Sequence, residues 1–315
     1  MIRRSRQFGH SPSTLQRTRL ITGIRSTPLA CETGKRRRRR LNRLSCRRAG
    51  QREEGSLAQR AWLESSAIVH LNIVNPNTSA AMTRIIAAAA AKVARPGTTI
   101  RAVESAFGPA SIEGFYDDAF AVPGLLARVA EGEAACVDGH IIACFDDTGL
   151  DAARALANAP VVGVGEAAFH MASLLCHRFT VVTTLSRSIP VIEHNLGRYG
   201  LDRRCARVRA ADVPVLALDN PTSNARARIG DEIARALDED GADAIVLGCA
   251  GMADLTASLS REFGVPVVDG VAAAVALAEG LAALGLSTSR RGGYARPLPK
   301  DYSGIFAPFS PSDQA

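Results

Sequence analysis

The sequence predicts an α/β fold made of two similar lobes, and three observations support this. From Ile68 onward, short apolar runs alternate with Ala-rich helical stretches, as in βαβ units with a parallel sheet. Cys144 and Cys249 each follow such a run and stand 105 residues apart. Pro160 and Pro266, which open the next apolar runs, follow these cysteines by 16 and 17 residues. We therefore expect two pseudo-twofold-related Rossmann-like lobes with parallel sheets, and an active site in the cleft between them.

The first half of the folded region is predicted to contain four strands and three helices. The strands are short runs rich in β-branched residues, and the helices are the longer Ala-rich stretches between them. Polar residues that favour helix starts, such as those of NPNTS, separate the two types. In chain order the elements are strand 68–74, helix 78–94, strand 98–104, helix 119–135, strand 139–144, helix 149–158 and strand 161–164.

The second half repeats this pattern and ends in an additional helix. The same apolar and Ala-rich alternation applies, and prolines or polar clusters again mark the boundaries. In chain order the elements are helix 166–177, strand 178–184, helix 189–198, strand 205–210, helix 222–239, strand 243–248, helix 252–263, strand 265–268 and helix 270–284.

The repeat suggests a division of the chain into two lobes with a segment at each end. The last helix is assigned to the first lobe, which makes that lobe discontinuous. The predicted parts are a basic leader at 1–66, lobe 1 at 67–165 plus 269–286, lobe 2 at 166–268 and a C-terminal tail at 287–315.

The net charge of +7 belongs to the leader. Residues 1–66 hold 17 basic and 4 acidic side chains, which leaves 21 basic and 27 acidic ones beyond them. With its KRRRRR run and no apolar periodicity, the leader is expected to be disordered. It fits an organellar transit peptide, a basic arm for nucleic acid, or a stretch outside the native protein, whose chain would then start at Val69. The folded part itself offers no basic stripe for nucleic acid.

The cysteine spacing and the hydropathy pattern argue against disulfide-rich, metal-binding and membrane-spanning proteins. The seven cysteines form no CxxC pair and no Cys/His cluster, so we expect neither a disulfide framework nor a metal site. No apolar run approaches the roughly 20 residues that span a bilayer. We expect a soluble cytoplasmic protein that binds a small molecule and neither nucleic acid nor membrane.

Cys144 and Cys249 are the candidate catalytic residues. Thiols at the carboxyl ends of parallel strands lie where open α/β sheets bind ligands, and a nearby helix start favours the thiolate. If the two thiols face each other, one can remove a proton from a carbon acid while the other delivers a proton to the opposite face. The alternative is that both cysteines have no catalytic role and are simply buried at strand ends, as free cysteines often are. Their matching positions in the repeat favour cofactor-free racemisation.

Polar strand ends are the candidate substrate contacts. Asn75, in NPNTS, could offer both a donor and an acceptor, although capping explains part of that motif. Hydroxyls and backbone N–H groups near the thiols could bind a carbonyl oxygen and its developing charge, although ordinary turn chemistry would look the same. The GPASIEG loop could cover the cleft or be a plain connector. The remaining candidates are Phe145, Asp146, Thr183, Thr184, Ser186, Ala250 and Gly251.

Two further motifs suggest other chemistry. GVGEAA at 163–168 fits the dinucleotide fingerprint, but no acidic residue stands about 20 positions on, so we expect no nicotinamide or flavin cofactor. Asp146 and Asp147 resemble a general-base pair, but carboxylates at a helix start are the simpler interpretation. Because acids beside Cys144 would raise the pKa of its thiol, we expect at least one of them to point away. A small-molecule-binding protein without chemistry remains the non-enzyme alternative.

Taken together, NPNTS, GPASIEG, ACFDDTGLDAAR, VVTTLSRS, LGCAGMADL and PVVDGVAAAV make residues 69–304 resemble the Asp/Glu/hydantoin racemase superfamily. The resemblance implies a homo-oligomeric, cofactor-independent two-base isomerase, with Cys144 and Cys249 as acid and base and Asn75 and 183–186 against the substrate. The neutral, hydroxyl-rich motifs favour an uncharged ring such as hydantoin or allantoin over aspartate or glutamate. The resemblance implies inversion of C5 in 5-monosubstituted hydantoins, with allantoin, or aspartate or glutamate, as the alternatives. Thr148 stands where these racemases often have Pro, and the leader has no counterpart in the family.

Overall fold

The computed structural model describes residues 68–218 and 222–311, and these form two four-stranded parallel sheets with interleaved helices. The predicted leader lies outside the described residues. Each sheet has the same strand order: second, first, third and fourth along its half of the chain. The α/β class is therefore confirmed, and the internal repeat is visible as identical sheet topology.

The first sheet and its helices cover residues 69–175. β1 and β3 are its central strands, and the connections pass through helices, as parallel pairing requires. The elements are β1 (Val69–Asn75), α1 (Ala80–Val93), β2 (Thr98–Glu104), α2 (Phe115–Ala134), β3 (Gly139–Ile142), α3 (Leu150–Leu156), β4 (Val161–Gly163) and α4 (Val164–Leu175).

The second sheet repeats the arrangement with β5 and β7 at its centre. Its last strand leads into α8, which packs back on the first sheet. The elements are β5 (Phe179–Thr183), α5 (Ile189–Arg198), β6 (Cys205–Ala210), α6 (Ala225–Glu239), β7 (Ala244–Gly248), α7 (Thr256–Phe263), β8 (Val267–Asp269) and α8 (Gly270–Ala283).

The central strands are mostly apolar on both faces because helices cover both sides of each sheet. Successive strand residues point to opposite faces, so Ile73 belongs to the core between the sheets while Val74 packs under α2 and α3. Val181 and Val182 divide in the same way in the second sheet, with α6 and α7 outside. Helices α1, α4, α5 and α8 fill the space between the sheets.

Several element boundaries differ from the sequence prediction by two residues or more, and two of these differences concern the cysteines. β3 ends at Ile142, which leaves Cys144 in a loop, and residues 250–255 form a 3₁₀ helix before α7. α2 starts at Phe115 rather than 119, after Gly114 in the left-handed region at φ 128°. α4 follows β4 with no loop between them.

The segment after α8 lies against the end of the first sheet. Thr288 donates its backbone N–H to Asn158 O at 3.1 Å, and Arg290 donates to the carbonyls of 155 and 156 at the end of α3. Among the described residues, no helix is both long and apolar enough to cross a bilayer. The predicted domain limits stay a prediction.

Candidate active site

A pocket lies between the two sheets at the carboxyl ends of their strands. It holds about 410 Å³ of space, including its opening to solvent. Residues from both halves of the chain line it equally: Asn77, Met82, Ile112, Ala143, Cys144, Phe145 and Asp146 from the first, and Thr183, Thr184, Ser188, Val215, Gly248, Cys249 and Ala250 from the second. The structure thus brings the two predicted thiols to one pocket.

Cys144 lies two residues beyond β3, in a tight turn. The backbone N–H of Asp147 donates to Cys144 O at 3.0 Å, and α3 begins only at Leu150. Burial and the nearby Asp146 carboxylate raise the pKa of the Cys144 thiol well above its usual value, although the Asp146 backbone N–H and the Thr148 side chain favour the thiolate. These surroundings therefore favour the protonated form of the Cys144 thiol.

Cys249 follows β7 directly and has a different local geometry. Its backbone is extended, with φ −157°, and it precedes the 3₁₀ helix at 250–255. Its carbonyl accepts the Met252 N–H at 3.0 Å, which closes the first turn of that helix. The two thiols thus reach the pocket from equivalent strands, but only Cys249 is joined directly to a helical turn.

The two acids after Cys144 point in different directions. Asp146 lines the pocket, and burial together with the charges of Asp118 and Asp147 raises its pKa to about 7. Asp147 turns away, with its backbone in the left-handed region at φ 51°. Burial raises the pKa of Asp147 to about 7 as well, although three donated hydrogen bonds favour its charged form. Among the residues that the structure describes, Asp146 is the one acidic or basic side chain on the pocket wall.

Asp147 explains the GVGEAA motif. Its carboxylate accepts the backbone N–H groups of Gly165 at 2.9 Å and Glu166 at 2.7 Å, in the first turn of α4. A Cβ on Gly163 would overlap with this carboxylate. The glycines therefore leave room for an internal anion at the helix start, which is the position that a dinucleotide phosphate takes in a Rossmann fingerprint.

Asn75 is buried and its side chain does not line the pocket. Its Nδ2 donates to Asn77 Oδ1 at 2.8 Å and to the Ser79 carbonyl at 3.2 Å. Asn77 Oδ1 also accepts the Ser79 N–H at 2.9 Å, so its oxygen is occupied and its Nδ2, 3.3 Å from Met82 Sδ, is the group available to a ligand. A binding role for Asn75 stays a prediction; in the structure it orients Asn77.

The predicted hydroxyl residues divide between the pocket and the surface. Thr183 and Thr184 line the pocket, and Thr183 Oγ1 donates to Gly248 O at 2.9 Å, so it can only accept from a ligand. Ser186 is exposed and is absent from the wall, where Ser188 stands instead. Both serines belong to the short helical turn 186–188 that follows β5.

The remaining contacts combine predicted and unpredicted residues. Phe145 and Ala250 line the pocket, while Gly251 is buried behind it against Leu218. The GPASIEG loop contributes Ile112, and Pro109 of this loop accepts the Thr78 N–H at 3.0 Å. Sequence reasoning missed Asn77, Met82, Ile112, Ala143, Ser188, Val215 and Gly248; all but Met82 and Val215 lie within a motif that it had singled out.

Comparison with known proteins agrees with this architecture. The family model for Asp/Glu/Hydantoin racemase matches residues 71–278. Hydantoin racemase of Rhizobium meliloti is 47% identical over 236 residues, covering 75% of this chain and 98% of the relative. Hydantoin racemase of Pseudomonas sp. (strain NS671) is 42% identical over 239 residues, covering 76% and 96%.

A solved structure is equally similar. Allantoin racemase from Klebsiella pneumoniae has a TM-score of 0.76 at 50% identity, over 78% of this chain and all of that one. The match between sequence family and structure covers both sheets and the pocket between them. The chain therefore belongs to the Asp/Glu/hydantoin racemase family, and it is a racemase.

Proposed function

We propose that this racemase inverts C5 of 5-monosubstituted hydantoins, with Cys144 and Cys249 as the two acid/base groups. The observation that carries the proposal is the position of these thiols in one pocket, each contributed by a different sheet. A carbon acid bound between two such groups can lose its proton on one face, form a planar carbanion and gain a proton on the other face. The non-enzyme alternative is set aside because the family is one of racemases.

Hydantoin chemistry matches the composition of the pocket. The C5 hydrogen lies beside a carbonyl and a ring nitrogen, so its removal gives an enolate without pyridoxal phosphate. Asn77 Nδ2 can donate to a ring carbonyl, and Thr183 Oγ1 can accept from a ring N–H. No cationic side chain lines the pocket within the described residues, which disfavours the dicarboxylates aspartate and glutamate.

The surroundings of Cys144 support a role as proton donor at rest. Because burial and Asp146 raise the pKa of Cys144, it is the proton donor in the resting enzyme, and Cys249 is the base. One enantiomer is then deprotonated by Cys249 and reprotonated by Cys144. For the other enantiomer, Cys144 must be the thiolate base and Cys249 the protonated acid. The pair shares one proton and titrates as a unit.

The first test is polarimetry. Purified, reduced protein without added cofactor should bring the optical rotation of enantiopure L-5-benzylhydantoin to zero, whereas a sample without enzyme keeps its rotation. A flat trace at high enzyme concentration would reject 5-benzylhydantoin as a substrate.

Allantoin is the second candidate because the structure of an allantoin racemase is 50% identical to this chain. Allantoin is a hydantoin with a ureido group on C5, so the same thiols would act on it. Racemisation of allantoin together with a flat trace for 5-benzylhydantoin would reassign the substrate and leave the mechanism in place.

Replacement of either thiol tests the mechanism. Cys144→Ser or Cys249→Ser should lower the inversion rate by roughly 10²–10⁴-fold, the usual contribution of a positioned acid or base. Each variant should still exchange the C5 hydrogen of one enantiomer with deuterated solvent. Cys205→Ser, at the start of β6 and away from the pocket, is the matched control. Full activity in either pocket variant would overturn the two-thiol mechanism.

A further inference from the structure

The loop that carries Cys144 is held by side chains from the other half of the chain. We call residues 143–149 the thiol loop. Asn195 Nδ2 donates to Asp146 O at 2.9 Å, and Tyr199 Oη donates to Asp147 Oδ2 at 2.8 Å. Asn195 lies in α5 and Tyr199 caps its end. Asp146 and Asp147, the second and third residues after Cys144, are therefore each held by a hydrogen bond from α5 or its C-terminal cap.

α5 connects the thiol loop to the sheet that presents Cys249. It follows β5 through the turn that contributes Ser188 to the pocket. β5 pairs with β7, whose last residue, Gly248, precedes Cys249. A change in the contact between α5 and the thiol loop would therefore change the placement of one thiol relative to the other.

The two contacts are suited to a positioning role. Asn195 is 4% exposed, and a hydrogen bond in such surroundings is electrostatically stronger than one in water. Burial raises the pKa of Tyr199, so its hydroxyl keeps its proton and remains a donor. Asp147 has a positive φ, which is unfavourable for a residue other than glycine, so its conformation needs such external support.

We propose that Asn195 and Tyr199 are positioning residues that fix the Cys144 thiol opposite Cys249. The inference rests on the proposed two-thiol mechanism and extends it to residues that do not line the pocket. Neither residue touches the reacting atoms. Their role is to keep Cys144 within reach of the carbanion that Cys249 generates.

The test compares Tyr199→Phe with Tyr294→Phe. Each variant removes one tyrosine hydroxyl that donates to an aspartate; Tyr294 Oη bonds Asp151 at 2.9 Å on the exposed side of α3. In Tyr199→Phe we expect kcat to fall about tenfold or more with KM nearly unchanged, as for an interaction needed only during proton transfer. Tyr294→Phe should match the wild type.

Deuterium exchange separates positioning from a loss of folded enzyme. When Cys144 is displaced, the carbanion formed by Cys249 returns to Cys249 more often, and solvent deuterium enters C5 with retained configuration. The ratio of exchange to inversion for that enantiomer should therefore rise several-fold in Tyr199→Phe. A smaller fraction of folded enzyme would lower both rates and leave the ratio unchanged, which would contradict the inference.

Thiol alkylation provides a readout that does not need turnover. Iodoacetamide labelling mapped by mass spectrometry should show faster modification of Cys144 in Tyr199→Phe and Asn195→Ala, with Cys249 unchanged. If the wild type fails to racemise hydantoins while Cys144 labelling still responds, the proposed substrate fails and the positioning role stands. If labelling in both variants equals that in Tyr294→Phe, the positioning role is wrong.

Discussion

At the level of single residues, two neighbouring carboxylates have different surroundings. Asp146 faces the pocket, and Asp147 accepts hydrogen bonds from two backbone N–H groups at the start of α4 and from Tyr199 at the end of α5. The chain reverses between them because Asp147 adopts a positive φ. Asp146 therefore supplies a charge beside the Cys144 thiol, whereas Asp147 caps the start of α4 inside the protein.

Asp146 should control the reactivity of Cys144 in a pH-dependent way. Its charge raises the pKa of the thiol, so Asp146→Asn should increase the thiolate fraction and speed alkylation of Cys144 several-fold at pH 8. At pH 6 the effect should nearly vanish, because Asp146, with a pKa raised to about 7, is then mostly protonated in the wild type.

Labelling kinetics at the two pH values measure this effect. The charges of Asp118 and Asp147 also act on the site of Asp146, so the remaining pH dependence in the variant reports their charges. Asp151→Asn, an exposed acid on α3, is the matched control for net charge. Equal Cys144 labelling in the wild type and Asp146→Asn at pH 8 would show that the Asp146 charge does not act on the thiol.

At the level of elements, the junction of β4 and α4 is the most constrained. Gly163 has φ −83°, which any residue can adopt, so its requirement for glycine is steric. The carboxylate of Asp147 occupies the space that a side chain would need. Because Gly163 has no side chain, α4 can start immediately after β4, and the Asp147 carboxylate of the thiol loop can accept hydrogen bonds from the first turn of α4.

Gly163→Ala should therefore destabilise the protein by roughly 1–3 kcal/mol, the usual cost of overpacking, and lower activity through the thiol loop. Gly280→Ala is the matched substitution, because no atom lies within 4 Å of its added Cβ in α8. It should stabilise the helix by up to about 1 kcal/mol. Urea unfolding measures both. If Gly163→Ala left the free energy of unfolding unchanged, the junction of β4 and α4 would accommodate a side chain without a loss of stability.

At the level of the whole molecule, one apolar core joins the two sheets. It contains Ile73 and Ile141 from the first sheet, Val181 and Val246 from the second, and side chains of four helices between them. Two smaller cores lie on the outer faces. The pocket is formed where this shared core ends at the carboxyl edges of both sheets.

The shared core predicts that the two halves unfold together. Far-ultraviolet circular dichroism and tyrosine fluorescence should give coincident urea transitions. Val181→Ala should shift the whole curve by about 2 kcal/mol, since it opens a cavity between the sheets. If the protein showed two separated transitions and Val181→Ala shifted only one of them, the two halves would be independent domains.

Periodicity in the sequence determined the α/β class, the repeat and the position of both cysteines close to strand ends, because apolar runs and Ala-rich helices are local signals. It placed β2, α5 and β6 at their observed limits. The family motifs identified the neighbourhood of the pocket for the same reason: each is a strand end followed by a turn.

Only the tertiary structure decided which side chains reach the pocket. Asn77 rather than Asn75, and Ser188 rather than Ser186, face it, because turn geometry over two residues reverses the direction of a side chain. The link from Tyr199 to Asp147 spans 52 residues and joins two halves of the chain. Such contacts depend on how the two sheets pack, and no local pattern in the sequence encodes that packing.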